Sequence, residues 1–89
     1  MGVLSIIILT AVIGISFPPA HAEVTKVALV TDALFSDQGW GTNAYIAATN
    51  LSEKYGFELG TAENVAIPDI ESTLRDFAEQ GYDLIIAHG

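Results

Sequence analysis

Val27-Ala28-Leu29-Val30 is an unbroken apolar run with no polar alternation, the pattern of a parallel strand covered on both faces. It stops at Asp32. Beyond the next few polar residues the spacing turns helical, with Trp40, Ala44, Ala47, Ala48, Leu51 and Tyr55 at i, i+4, i+7, i+8, i+11 and i+15, which draws one apolar stripe. The pattern therefore predicts a strand over 23–31, a loop, and a helix that begins near Ser36 or Asp37 and ends at Tyr55. Ser36 and Asp37 both qualify as N-caps, and Gly56 is the expected left-handed stop. A second strand fits 57–62, weakened by Gly60. Asp69, or the residue before Pro68, opens a second helix with Ile70, Leu74, Phe77 and Ala78 as its stripe and Gly81 as its end. On that helix Glu71 and Arg75 stand four apart in the favourable order. Residues 82–87 read as a third strand, and the chain reaches His88-Gly89.

The order is β-α-β-α-β with short connections, and right-handed crossovers make all three strands parallel in the order 2-1-3. This is an α/β chain, a partial three-layer sandwich. In open α/β sheets the carboxyl ends of the strands form the ligand crevice, which singles out the loop from Asp32 to Gly41. A unit of this size leaves its third strand as a bare apolar edge and buries only about 60% of its chain surface. Residues 23–89 are accordingly expected to form an incomplete lobe of a larger domain.

Charge and composition sharpen the assignment. All fourteen charged residues, three basic and eleven acidic, lie after residue 22, so this segment carries the whole formal charge of −8. Such a balance repels phosphate backbones and anionic membranes and argues against nucleic acid as a partner. Residues 3–17 form a charge-free apolar run, followed by Pro18-Pro19 and then Ala20-His21-Ala22, the small-x-small form of a signal-peptidase site. We expect 1–22 to be a signal peptide and the remainder to be exported to the periplasm, although no Lys or Arg precedes the run. An uncleaved anchor and a buried strand are the alternatives. With no cysteine in the chain, thiolate catalysis, disulfides and a lipid-bearing cleavage site are all absent.

Three stretches carry a resemblance: Lys26-Val27-Ala28-Leu29-Val30-Thr31-Asp32, then Ser36-Asp37-Gln38-Gly39-Trp40, then Arg75 to Ile86, RDFAEQGYDLII. Together they resemble the basic membrane protein family of ABC-transporter substrate-binding proteins, which have the type I periplasmic-binding fold and include purine-nucleoside receptors. The resemblance implies a non-catalytic receptor of two lobes, a monomer that holds a small solute between them and delivers it to an ABC permease. This chain would supply the front of the amino-terminal lobe. It also implies that Asp37 bonds polar groups of the solute and that Trp40 stands where other members often carry phenylalanine. Gly41 departs from the asparagine that many members have directly after the aromatic, and Asn43, one turn on, is the candidate substitute.

Each candidate has a plainer role beside the functional one. Asp37 is a ligand contact or a helix cap, Trp40 a stacking platform or a packing residue, and Asp32 a ligand contact or a loop anchor. Gly89 would let the backbone approach a ligand at the end of the third strand. Two acids beside the helix entry oppose a phosphate or carboxylate, so a neutral or cationic solute with hydroxyl or amine donors, such as a nucleoside or sugar, is expected. No cofactor is implied, and His88 has no second ligand at metal-binding spacing. The rival is half of a dinucleotide-binding oxidoreductase, since Gly39-x-Gly41-x-x-Ala44 opens a helix and Glu58 follows in the next strand. A hydrolase built on Ser36, His88 and an aspartate is a weaker rival, lacking a nucleophile elbow.

Overall fold

The computed structural model describes residues 23–89; the leader expected at 1–22 lies outside them. Three strands alternate with two helices: β1 (Lys26–Thr31), α1 (Trp40–Tyr55), β2 (Glu58–Ala62), a 3-10 turn (Ile67–Asp69) that runs into α2 (Ile70–Glu79), and β3 (Leu84–His88). The sheet is parallel throughout, in the order β2-β1-β3. Fold class and strand order thus agree with the apolar pattern.

β1 lies in the middle because its side chains suit no other position. Val27, Ala28, Leu29, Val30 and Thr31 are each no more than 3% exposed. Register divides the sheet into two faces: Val27 pairs with Leu84 and Leu29 with Ile86, while Ala28 pairs with Ile85 and Val30 with Ala87. Ala48, Leu51 and Tyr55 of α1 share a groove with Val27, Leu84 and Ile86, so α1 covers the first face. Ile70 of α2 lines a hollow together with Val30 and Ala87 on the second. Right-handed crossovers in opposite directions produce this two-sided cover.

The stripe predicted for α1 faces the sheet but is only partly covered. Gly41 and Ala48 are the buried residues, whereas Trp40, Leu51 and Tyr55 are 57, 47 and 66% exposed. At the helix entry a Cβ on Gly41 would overlap the Leu34 carbonyl, so this glycine lets the helix lie directly against the preceding loop. Leu51 and Tyr55 instead border an apolar groove of about 460 Å³ that reaches to Leu84 and Ile86 on β3. The helix starts at Trp40 rather than at Ser36 or Asp37, and it ends as expected, with Gly56 left-handed at φ 76° and its N–H donating to the Ser52 carbonyl. α2 ends at Glu79, two residues before the left-handed Gly81.

The amino edge of the sheet is locked by Asp83, just ahead of β3. Its carboxylate accepts the Thr25 N–H at 2.9 Å, the Lys26 N–H at 2.9 Å and the Thr25 hydroxyl at 3.1 Å. The Thr25 amide, then the Lys26 amide, lower its pKa, because both donors favour the ionised form. Lys26 donates its ammonium to the Gln80 carbonyl at 3.1 Å and lies 4.5 Å above the Tyr82 ring. Glu71 and Arg75 form the expected ion pair at 2.6 Å, but both are exposed, and such a pair contributes about 0.5 kcal/mol or less.

Gly60 has a packing reason to stand inside the second strand. A Cβ there would lie 2.5 Å from the Tyr82 hydroxyl and 2.8 Å from its ring, against a side chain wedged edge-on to Phe77. Gly60→Val, which strand propensity alone would favour, is expected to destabilise the intact protein by about 1–3 kcal/mol in urea denaturation, the usual cost of overpacking. A stabilised or unchanged variant would show that Tyr82 does not fill this space.

Candidate functional site

The site grows from the carboxyl edge of the sheet, where β1 ends at Thr31 and β3 at His88, paired in register. Thr31 is buried, and its hydroxyl accepts the Ala33 N–H at 3.0 Å, which turns the chain out of the sheet immediately after Asp32. The segment after β2 straps this turn down: the Val65 N–H donates to the Thr31 carbonyl at 3.1 Å and the Asn64 N–H to the Ala33 carbonyl at 2.8 Å. Glu63 accepts the Phe35 N–H at 2.7 Å, and the Phe35 ring stacks on Tyr45 of α1 with centroids 4.6 Å apart.

Asp37 organises the helix entry. Its Oδ1 accepts the N–H groups of Gly39 at 2.8 Å and Thr42 at 3.0 Å, and its Oδ2 accepts that of Gly41 at 2.9 Å. Amides that a helix leaves unpaired at its start are thereby satisfied from three residues upstream. The Gly41 amide, then those of Thr42 and Gly39, bring the pKa of Asp37 from 3.8 down to about 2. The Thr42 hydroxyl ties the loop together, donating to the Phe35 carbonyl at 2.7 Å and accepting the Gln38 N–H at 2.7 Å. Gln38 takes a left-handed φ of 59°, a conformation this fastening holds.

Beside this loop lies a hollow of about 350 Å³, lined by Val30, Thr31, Asp32, Ile67, Ile70, Ala87, His88 and Gly89. Its volume falls within the range of small-molecule pockets, about 300–1,000 Å³, and its floor is aliphatic with few polar groups. Asp32 and Gly89 meet at its rim: a Cβ on Gly89 would stand 3.6 Å from Asp32 Oδ1. Trp40 reaches the same edge through His88, whose ring stacks on the indole at 4.3 Å. Asp37 is directed at the helix entry, and Asn43 is exposed on the first turn of α1; neither lines the hollow. Asp32, Gly89 and Trp40 are therefore brought together, while Asp37 and Asn43 stand behind or beside them.

The loop-fastening roles of Thr42 and Glu63 and the His88 stack have no local sequence signal. Thr42 follows Asp37 at a spacing that serves this one loop shape, and the Phe35–Glu63 and Trp40–His88 contacts cross 28 and 48 residues. The two enzyme rivals lose their geometry here. The amides of Gly39 and Gly41 that a pyrophosphate would need are already bonded to Asp37. His88 directs Nε2 to the Trp40 carbonyl at 3.1 Å rather than to Ser36. Among the described residues no group of three or more metal-ligating side chains is present, and no helix is long and apolar enough to cross a membrane.

Because the folded pKa of Asp37 is depressed, its contribution to loop order is fully present above about pH 4 and disappears as pH falls through about 2. The amide resonances of Gly39, Gly41 and Thr42 are expected to titrate together with a midpoint near 2. Asp37→Asn should abolish that shared titration. Independent midpoints near the ordinary aspartate value would show that the carboxylate does not hold this entry.

Comparison with known proteins agrees with the architecture. A family model described as ABC transporter substrate-binding protein PnrA-like matches residues 24–89, all three strands and both helices included. The chain is also similar to the transcriptional activator protein med of Bacillus subtilis (strain 168), with 29% identity over 77 residues, 85% of this chain and 24% of that protein. It thus spans about a quarter of the length of that relative. No solved structure matches. With the family model running through every described element from the first strand to the hollow's last residue, the chain belongs to the Bmp family of PnrA-like ABC-transporter substrate-binding proteins.

Proposed function

We propose that residues 23–89 are the front of the amino-terminal lobe of a solute receptor, carried out of the cytoplasm by residues 1–22, which holds a small neutral solute for an ABC importer without transforming it. The observation that carries this reading is the carboxyl-edge hollow, where an aliphatic floor, the Asp32 carboxylate, the close backbone of Gly89 and the Trp40–His88 pair converge. A second lobe would close over this half-site, and domain closure would signal occupancy to the permease. The full-length protein would act as a monomer.

The electrostatics favour a solute without negative charge. A helix amino terminus attracts anions, but this one already holds Asp37, and Asp32 lies on the rim. Asp32 can accept hydrogen bonds from ribose or sugar hydroxyls, and the exposed indole offers a flat apolar face to a ring. A nucleoside combines both features. Asp37 then serves the solute by shaping the loop that presents Trp40, and Asn43, exposed on the first turn of α1, is a candidate polar contact.

A second reading follows from the likeness to a protein named as a transcriptional activator: a solute sensor coupled to gene expression. The charge of −8 opposes DNA contact through these residues, so such coupling would run through another protein. Loss of solute uptake on gene deletion supports the importer, and unchanged uptake with altered transcription supports the sensor.

Titration of the full-length protein with guanosine, adenosine and their monophosphates tests the ligand class. The nucleosides are expected to bind more tightly than the nucleotides, and the reverse order would overturn the argument from Asp32 and Asp37. Trp40→Ala should weaken nucleoside binding about 5- to 100-fold, as loss of a base-stacking aromatic does, with little change in the ligand-free melting temperature. A comparable loss of melting temperature without ligand would assign Trp40 to packing instead.

A further inference from the structure

Trp40 and His88 open α1 and close β3, yet their rings lie nearly parallel, 18° apart with centroids 4.3 Å from each other. His88 Nε2 is 3.1 Å from the Trp40 carbonyl, and because a carbonyl only accepts, the imidazole donates. One side chain therefore grips both ends of the same residue. The stack fixes the tilt of the indole, and the hydrogen bond fixes how far the imidazole slides beneath it.

Trp40 needs such a hold. It is 57% exposed at the first position of its helix, while the buried residues of α1 are Gly41 and Ala48. His88 is a firm base by comparison. It is half-buried, and its strand pairs it with Thr31, which is 1% exposed. The stack thus transfers the rigidity of the sheet to a residue at the edge of the loop. A surface ordered before binding loses less conformational freedom when a ligand arrives.

We propose that His88 is a positioning residue for the solute site: it presents the Trp40 indole as a preset wall for a planar ring, so that affinity for a ring-bearing solute depends on the imidazole. This rests on the reading of Trp40 as a solute-facing residue. The indole has one face on the imidazole, and the solute ring takes the other.

The test uses the intact protein with His88→Ala, His88→Phe and His88→Gln, each also made in a Trp40→Phe background so that the near-ultraviolet circular dichroism of Trp40 is obtained by difference. Guanosine is the titrant, and melting temperatures are recorded without it. His88→Ala is expected to lose most of the Trp40 signal and to weaken guanosine binding about two- to tenfold, the range for one lost aromatic pair. His88→Phe keeps a ring beneath the indole and should restore more of both than His88→Gln, which keeps only a donor. Should His88→Ala fail to fold, the ordering of Phe over Gln still decides. An unchanged Trp40 signal in the variants would overturn the proposal, and so would a collapsed signal with undiminished guanosine binding. If the parent protein binds no nucleoside at all, the solute reading fails, and the spectra alone still decide whether His88 orders Trp40.

Discussion

The side chains of β1 from Val27 to Thr31 are shielded from water above and below, and its backbone pairs with β2 on one side and β3 on the other. A strand buried on both faces has no tolerance for an unpaired edge, because every exposed amide or carbonyl would have to be satisfied without water. Placing it at the centre forces the two crossovers to opposite faces and brings the ends of β1 and β3 together. The hollow, the turn at Asp32 and the Trp40–His88 stack all exist because these two strands finish side by side.

The loop that joins β1 to α1 then determines what the edge can hold. In many α/β proteins the start of the helix after the first strand is left open for an anionic ligand. Here Asp37 already fills that position, the Thr42 hydroxyl fastens the loop behind it, and Gly41 removes the side chain that would keep helix and loop apart. An internal carboxylate in place of a bound phosphate is consistent with membership of a family of substrate-binding proteins rather than of nucleotide-using enzymes. Gly41 belongs to the same arrangement, because any larger residue there would meet the Leu34 carbonyl.

Much of the architecture was legible in the sequence because it is encoded locally. The unbroken apolar run of β1, the stop at Gly56 and the Glu71–Arg75 pair follow from patterns spanning a few residues, and the strand order follows from the handedness of the crossovers. The start of α1 was misplaced because Asp37 caps from outside the helix, with Gly39 rather than the acid at the N-cap position. Gly41, which the apolar stripe passes over, is uninformative by hydropathy yet lies directly against the Leu34 carbonyl. Of the candidate residues, Asp32, Trp40 and Gly89 lie at the carboxyl edge to which the strand and loop pattern pointed. The contacts from Glu63 and His88 bridge 28 and 48 residues, and no periodicity reports on them.

The Asp83 clasp on Thr25 and Lys26 spans 58 residues, and it has a bearing on the order in which the molecule can assemble. Of these three strands the most water-averse is synthesised first, and neither of its neighbours exists until later. Closing so wide a loop is entropically slow. These three strands therefore settle together only once β3 has been made, because the central strand has no partner on that side before then.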